Sequence, residues 1–307
     1  MAKEYKTSIG GQALIEGIMM KGPFKTAMAC RLPNGTIDME EWETKKSKVR
    51  KIPIVRGVVN FVMMLIEGYK CLMKSAEKQG LEEEEQSKLE KLIEKKLGSK
   101  AEKAFEMVTV FLGLILAILL FTMLPAFVVG LFRDKISSDV LLTVVEGIIK
   151  IGILVLYLWA VSKMDDIKRT FQYHGAEHKT IFCFEHGKEL TPENVKKELR
   201  FHPRCGTSFL LIILILSIFI NSFISWESLG FRIGMKLLLL PLIVGIGYEL
   251  IKIAGKYDNA FTRAMSAPGL WLQHLTTKEP DLSQIEVAIA AFKAVCPEDK
   301  NDAVYGK

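Results

Sequence analysis

Residues 107–132 read MVTVFLGLILAILLFTMLPAFVVGLF and contain no charged side chain. A helix rises about 1.5 Å per residue, so this stretch is long enough to cross the ~30 Å hydrocarbon layer of a bilayer. Its proline, Pro125, is tolerable where neighbouring helices satisfy the freed carbonyl. Three further apolar stretches follow. Residues 140–161 carry Glu146 and Lys150, four apart and on one helical face, in the order that lets them neutralise each other. Residues 208–224 are uncharged until their end, and residues 233–253 hold Lys236 near the start and Glu249 near the end. The expected fold is a mainly α membrane protein with four transmembrane helices, an amphipathic helix and a small α+β cytosolic part.

Composition agrees. Half of the 307 residues are hydrophobic and a quarter are charged, yet the two classes are segregated into blocks. Such segregation is what a bilayer imposes, and it argues against two soluble domains. The net charge of +6 is modest. No basic patch interleaved with aromatics is present, so no nucleic-acid partner is expected. The opening MAKEYKTSIGGQ has no apolar core before a cleavage site, and Ala2 stands where myristoylation needs glycine. Five scattered cysteines, at 30, 71, 183, 205 and 296, suit free thiols or metal ligands better than disulfides.

The chain divides on this reading into six segments. Residues 1–50 form a glycine-rich stretch and a β-hairpin turning at Pro33-Asn34-Gly35; residues 51–106 form an amphipathic helix and a charged helix. Residues 107–162 are spans one and two, 163–207 a cytosolic His/Cys loop, and 208–255 spans three and four. Residues 256–307 are a cytosolic tail ending in a docking helix, preceded by an interfacial turn at 268–280 that sets Trp271 at headgroup depth. Lysines and arginines crowd the stretch before span one and the loop 163–207, whereas only Arg133 and Lys135 separate spans one and two. Positive-inside bias therefore puts both termini and the long loop in the cytoplasm.

That loop holds the residues fit for chemistry. His174, His178, His186 and His202 lie in it, with Cys183 and Cys205. In YHGAEHK, His174 and His178 are one helical turn apart and can share a metal ion. Glu177 completes H-x-x-E-H, the pattern in which inverted-motif zinc peptidases place two ligands and a general base. In HPRCG, His202 and Cys205 are three apart, a spacing a tight turn can present to one ion. The expected metal set is His174, His178, His202 and Cys205, with Glu177 catalytic. Zinc is the divalent ion that imidazole and thiolate favour. Four ligands would close the shell into a structural staple; catalysis needs one to stand back. Accessory readings are weaker: Glu249 pairs with Lys252 or Arg204 ahead of serving as a further metal ligand, Arg56 anchors at headgroups ahead of binding an anionic group, and Glu16, a catalytic alternative, sits in a glycine-rich turn of a common kind.

GGQALIEGIMM, IPIVRGVVNF, YHGAEHKTI, HPRCGTSFL and PGLWLQHLTTKEPD together resemble, in order and over nearly the whole chain, the DUF1385 family of bacterial membrane proteins. The resemblance implies a multi-pass protein of the bacterial cytoplasmic membrane, and some members are described as predicted metal-dependent enzymes. Carried over, it sets the metal site on His174, Glu177, His178, His202 and Cys205. Gly10, Gly11, Gln12, Glu16 and Gly17 match the N-terminal motif, and the acidic and lysine-rich 81–103 resembles a variable insert. The first functional expectation is a metal-dependent hydrolase at the membrane surface. Its rival is a scaffold or assembly factor with a structural metal, partnered with other membrane proteins or translocation machinery. Transport ranks third, since charges within the spans are few and no inverted repeat is evident.

Overall fold

The computed structural model of the chain describes residues 6–45, 49, 51–80, 99–226, 228–257 and 259–303. It forms two compact units, one from Met1–Gln79, Tyr157–Ile213 and Pro241–Lys307, the other from Gly80–Leu156 and Leu214–Leu240.

The first unit is built on an antiparallel sheet in the order β1 (Gly10–Leu14), β2 (Gly17–Lys21), β3 (Lys25–Arg31), β4 (Ile37–Glu43). The hairpin expected at Pro33-Asn34-Gly35 joins β3 to β4, with Arg31 opposite Ile37 and Gly35 at φ 86°. The glycine-rich stretch before it is a second hairpin, Leu14 opposite Gly17, where turns and a short apolar segment were expected. Its two-residue turn uses Glu16 at φ 49°, an uncommon setting for a side chain with a Cβ. The Arg169 guanidinium, which donates to both Glu16 oxygens, and the Tyr173 hydroxyl at 3.2 Å hold that side chain.

Alternation along the strands gives the sheet two apolar faces. Ile18, Met20, Ala27 and Ala29 share a core with Ile285, Ala288 and Phe292 of α10 (Leu282–Val295) and with Tyr173, Ala176 and Phe184 of α5 (Asp165–Glu185). Leu14, Met19, Met28 and Cys30 meet Cys71 of α1 (Val55–Lys78) on the opposite face. Helix α1 is the expected amphipathic helix. Helix α10 starts at Asp281 in a reciprocal capping box with Gln284 and buries its apolar side.

Among the described residues, three helices are long and apolar enough to cross a membrane: Val108–Gly130, Asp139–Val161 and Gly230–Lys256. The first takes in the later part of α2 (Ser99–Ile118), a π turn at Leu119–Met123 and α3 (Leu124–Gly130). Pro125 has no N–H and crowds the carbonyl four residues back, and just before it the Leu124 N–H reaches back five residues to Leu119. The others are α4 (Asp139–Val161) and α8 (Leu229–Lys256). Four spans were expected. The helix α7 (Gly206–Asn221) is apolar too but shorter, 16 residues or about 24 Å at 1.5 Å each.

Three other expectations change. The segment 163–207 is mainly helical, through α5 and the short α6 (Pro192–Lys196), and contributes no strand among the described residues. Residues 260–276 form α9 (Ala260–Thr276), a helix running through Pro268 where a turn was expected; an Asn259 capping box starts it. The charged helix expected at 81–103 lies outside the described residues through 98, and Ser99 already belongs to α2.

Candidate metal centre

Helix α5 presents Tyr173, Ala176 and Phe184 to the sheet and α10, which fixes its rotation. His174 and His178 then emerge one turn apart on a neighbouring stripe, their ring centroids 4.4 Å from each other. Close seating of this helix depends on Gly175, where a Cβ would run into the Lys278 carbonyl. Cys205 arrives from the turn before α7. Its Sγ lies 3.1 Å from His174 Nε2. The ligand atoms of His174, His178 and Cys205 all fall within 4.8 Å of one another.

The outer hydrogen bonds orient these donors. Nδ1 of His174 donates to the Thr276 carbonyl at 2.8 Å, and Nδ1 of His178 to the Arg200 carbonyl at 2.6 Å. Carbonyl oxygens only accept, so in both rings Nδ1 carries a proton and Nε2 is the nitrogen turned to a ligand. Burial disfavours a Cys205 thiolate, but His174 and His178 outweigh it and hold the thiol well below its ordinary range. Burial likewise presses His174 down, and the adjoining Cys205 charge prevails, raising it to about 9. At neutral pH without a metal the His174 Nε2 therefore carries a proton towards the Cys205 sulfur, and an ion that displaced it would meet two imidazole nitrogens and an ionised thiol, a set that fits a borderline divalent ion.

Glu177 is 5% exposed and interacts electrostatically with all three donors. Its Oε1 accepts the Gly11 N–H at 2.9 Å, while its Oε2 is buried and finds no hydrogen-bond partner among the described residues. Burial pushes this carboxyl up, against the pull of His174 and His178. Gly11 lies so close to the Met19 carbonyl and the Glu177 carboxylate that a Cβ would be crowded by both.

His202 stands outside the three-residue group. Its Nδ1 accepts the Arg204 N–H at 3.4 Å and its Nε2 lies 3.6 Å from Glu185 Oε2, so both nitrogens are engaged elsewhere. Burial holds it down at about 4 and keeps it neutral. Cys183 and His186 are apart from the group as well: the thiol faces the Glu189 carbonyl and the imidazole pairs with Glu198 at 2.8 Å. Glu249, expected to pair with Lys252 or Arg204, pairs instead with Arg56, whose Nε is 2.7 Å away. Arg204 bonds Glu185.

Gln273 was not foreseen in this role. It is fully buried, accepts the His202 N–H at 2.7 Å and donates to the His202 carbonyl at 2.8 Å, which locks the turn carrying Cys205. Its only sequence signal was membership of PGLWLQHLTTKEPD. The Thr276 and Arg200 carbonyls had none, because every residue carries a carbonyl.

The DUF1385 model, described as a protein of unknown function, matches residues 52–298. The chain belongs to the DUF1385 family. A relative, the uncharacterized protein YqhQ of Bacillus subtilis (strain 168), is 35% identical over 288 residues, which covers 92% of this chain and 90% of that protein. No solved structure matches the chain. The DUF1385 match takes in α1, the three long apolar helices and the whole His/His/Cys group; the four-stranded sheet lies upstream of it.

Proposed function

We propose that this DUF1385 chain is a membrane-embedded, metal-dependent hydrolase whose site faces the cytoplasm and acts on a membrane-associated substrate, either lipid or polypeptide. The observation that carries the reading is the orphaned Glu177 Oε2 beside a three-donor group. Three protein ligands suit a catalytic centre, because a fourth position stays open for water. His174, His178 and Cys205 would hold the ion, zinc by donor chemistry. A bound divalent ion supplies Lewis acidity and a water acidified towards neutral pH. Glu177 would serve as the proton acceptor through Oε2, with Oε1 held by the Gly11 N–H. Its raised pKa suits a base that must later return the proton. The bacterial inner-membrane placement rests on the lysine and arginine bias, which assigns the α5 segment to the cytoplasmic side.

The test begins with metal stoichiometry in protein purified without added metal. Glu177→Gln should keep the ion and lower hydrolysis of lipid and peptide substrates by about 10²–10⁴-fold. Unchanged hydrolysis in a metal-loaded Glu177→Gln protein would remove the general-base role. The depth of the site favours one other reading. His178 is 2% and Cys205 8% exposed, as suits a structural ion in an assembly factor for membrane proteins or the translocation machinery. In that case Glu177→Gln is silent and Cys205→Ala unfolds the segment.

A further inference from the structure

The second unit contains a buried charge cluster of its own. Glu146 on α4 is 2% exposed, and Arg232 and Lys236 on α8 are 0% and 6%. Arg232 is fully engaged. One Nη donates to the Ile224 carbonyl at 2.8 Å, the other to the Thr143 hydroxyl at 2.7 Å while lying 3.2 Å from Glu146 Oε2, and the guanidinium stacks 3.8 Å over Trp226. Lys236 donates to Glu146 Oε1. Lys150, one turn along α4, stands 3.9 Å from that same oxygen, beyond hydrogen-bond reach.

Three cations therefore share one carboxylate, a surplus of two positive charges. Asp139, exposed at the start of α4 and accepting the Trp226 N–H at 3.3 Å, reduces the surplus to one if it is counted. The two ammonium groups offer six N–H donors. Among the described residues, one of the six finds an acceptor. Uncompensated charge inside a helix that crosses hydrocarbon is costly and calls for a counter-ion. Glu146 is already matched by Arg232, so the surplus belongs to Lys150 and Lys236. The Lys150 side chain keeps 14% of its surface exposed, which leaves it reachable.

We infer that Lys150 and Lys236 form a binding site for a phosphate-class oxyanion within the membrane-spanning part of the chain. Lys150 is eleven residues on from Asp139, about 16 Å along α4, and Lys236 is seven on from Leu229, about 10 Å along α8. The contact between Asp139 and Trp226 sets the starts of both helices at one level. Flexible lysine stems let the ammonium groups reach towards that level. A phosphate can arrive there as a lipid headgroup from the adjacent leaflet or as a free ion from the aqueous side.

The test uses the full-length, delipidated protein in mild detergent. It is titrated separately with inorganic phosphate, with phosphatidylglycerol and with diacylglycerol, which lacks the phosphate, and read by native mass spectrometry and unfolding midpoint. One phosphatidylglycerol or one phosphate per chain is expected, with affinity at least ~10-fold weaker in Lys150→Met and kept in Lys150→Arg. Response to the lipid alone identifies a headgroup site; response to inorganic phosphate, unmatched by chloride at equal ionic strength, identifies a free-ion site. Equal binding of phosphatidylglycerol and diacylglycerol without a phosphate response overturns the inference, as does full binding in folded Lys150→Met. If Lys150→Met does not fold, the wild-type comparison decides alone.

Discussion

Cys205 differs from the other buried thiols in what surrounds it. Cys30 is pushed up to about 12, and Cys71 and Cys183 to about 11, in each case chiefly by burial. Cys205 is buried too, but the two imidazoles reverse the sign. In metal-stripped protein at pH 7, iodoacetamide should therefore label Cys205 ahead of Cys30, Cys71 and Cys183, and restored zinc should suppress the labelling; peptide mapping reads both. Gln273 is the second decisive residue. Replacing it with leucine leaves the buried His202 N–H unpaired, at about 1–3 kcal/mol, and removes one of the two donors to the His202 carbonyl, which keeps the Cys205 N–H at 3.3 Å. Chemical denaturation should register that loss. Zinc affinity should fall about 10–100-fold, because Gln273 orients the turn and not the ion.

Among the elements, α5 has the tightest constraint. Its ligand stripe is productive only while Gly175 lets the helix back onto the segment after α9, where the Lys278 N–H donates to the Phe171 carbonyl at 2.8 Å. Gly175→Ala improves helix propensity yet meets the Lys278 backbone, so a net loss of about 1–3 kcal/mol is expected, with weaker zinc binding. A gain in unfolding free energy would show that α5 has room to spare. The helix α10 makes the contrasting case. Its Asp281 cap is a local device, and Asp281→Ala should cost about 1 kcal/mol and leave the metal site intact.

At the scale of the molecule, the candidate ion would tie together parts of the chain that are remote in sequence. His174 and His178 come from α5, Cys205 from the turn before α7, and the carbonyl orienting His174 from the end of α9. A ligand that binds only the assembled form stabilises it by about 2.7 kcal/mol at a hundred times its Kd. Zinc should accordingly raise the unfolding midpoint of the purified protein, a chelator should reverse the rise, and Cys205→Ser should abolish it. Absence of any zinc-dependent shift in the wild type would count against a site preformed on folding.

What the sequence determined by itself is whatever follows from local period and local chemistry. Apolar runs set the long helices, Pro33-Asn34-Gly35 set one hairpin, and the four-residue spacing of His174 and His178 set one shared face, because helix pitch is the same in every context. The second hairpin escaped notice because its turn lacks the usual glycine or asparagine, and Glu16 is held there by side chains from α5 more than 150 residues away. Only the tertiary structure brought Cys205, and not His202, into the group with His174 and His178. His202 and Cys205 share one turn, and the choice between them depends on where Gln273, Glu185 and Arg204 anchor that turn. The same holds for the partners of Glu146 and Glu249. A charge in an apolar setting must be matched, but which distant cation matches it depends on which helices pack together, and no spacing within one segment encodes that.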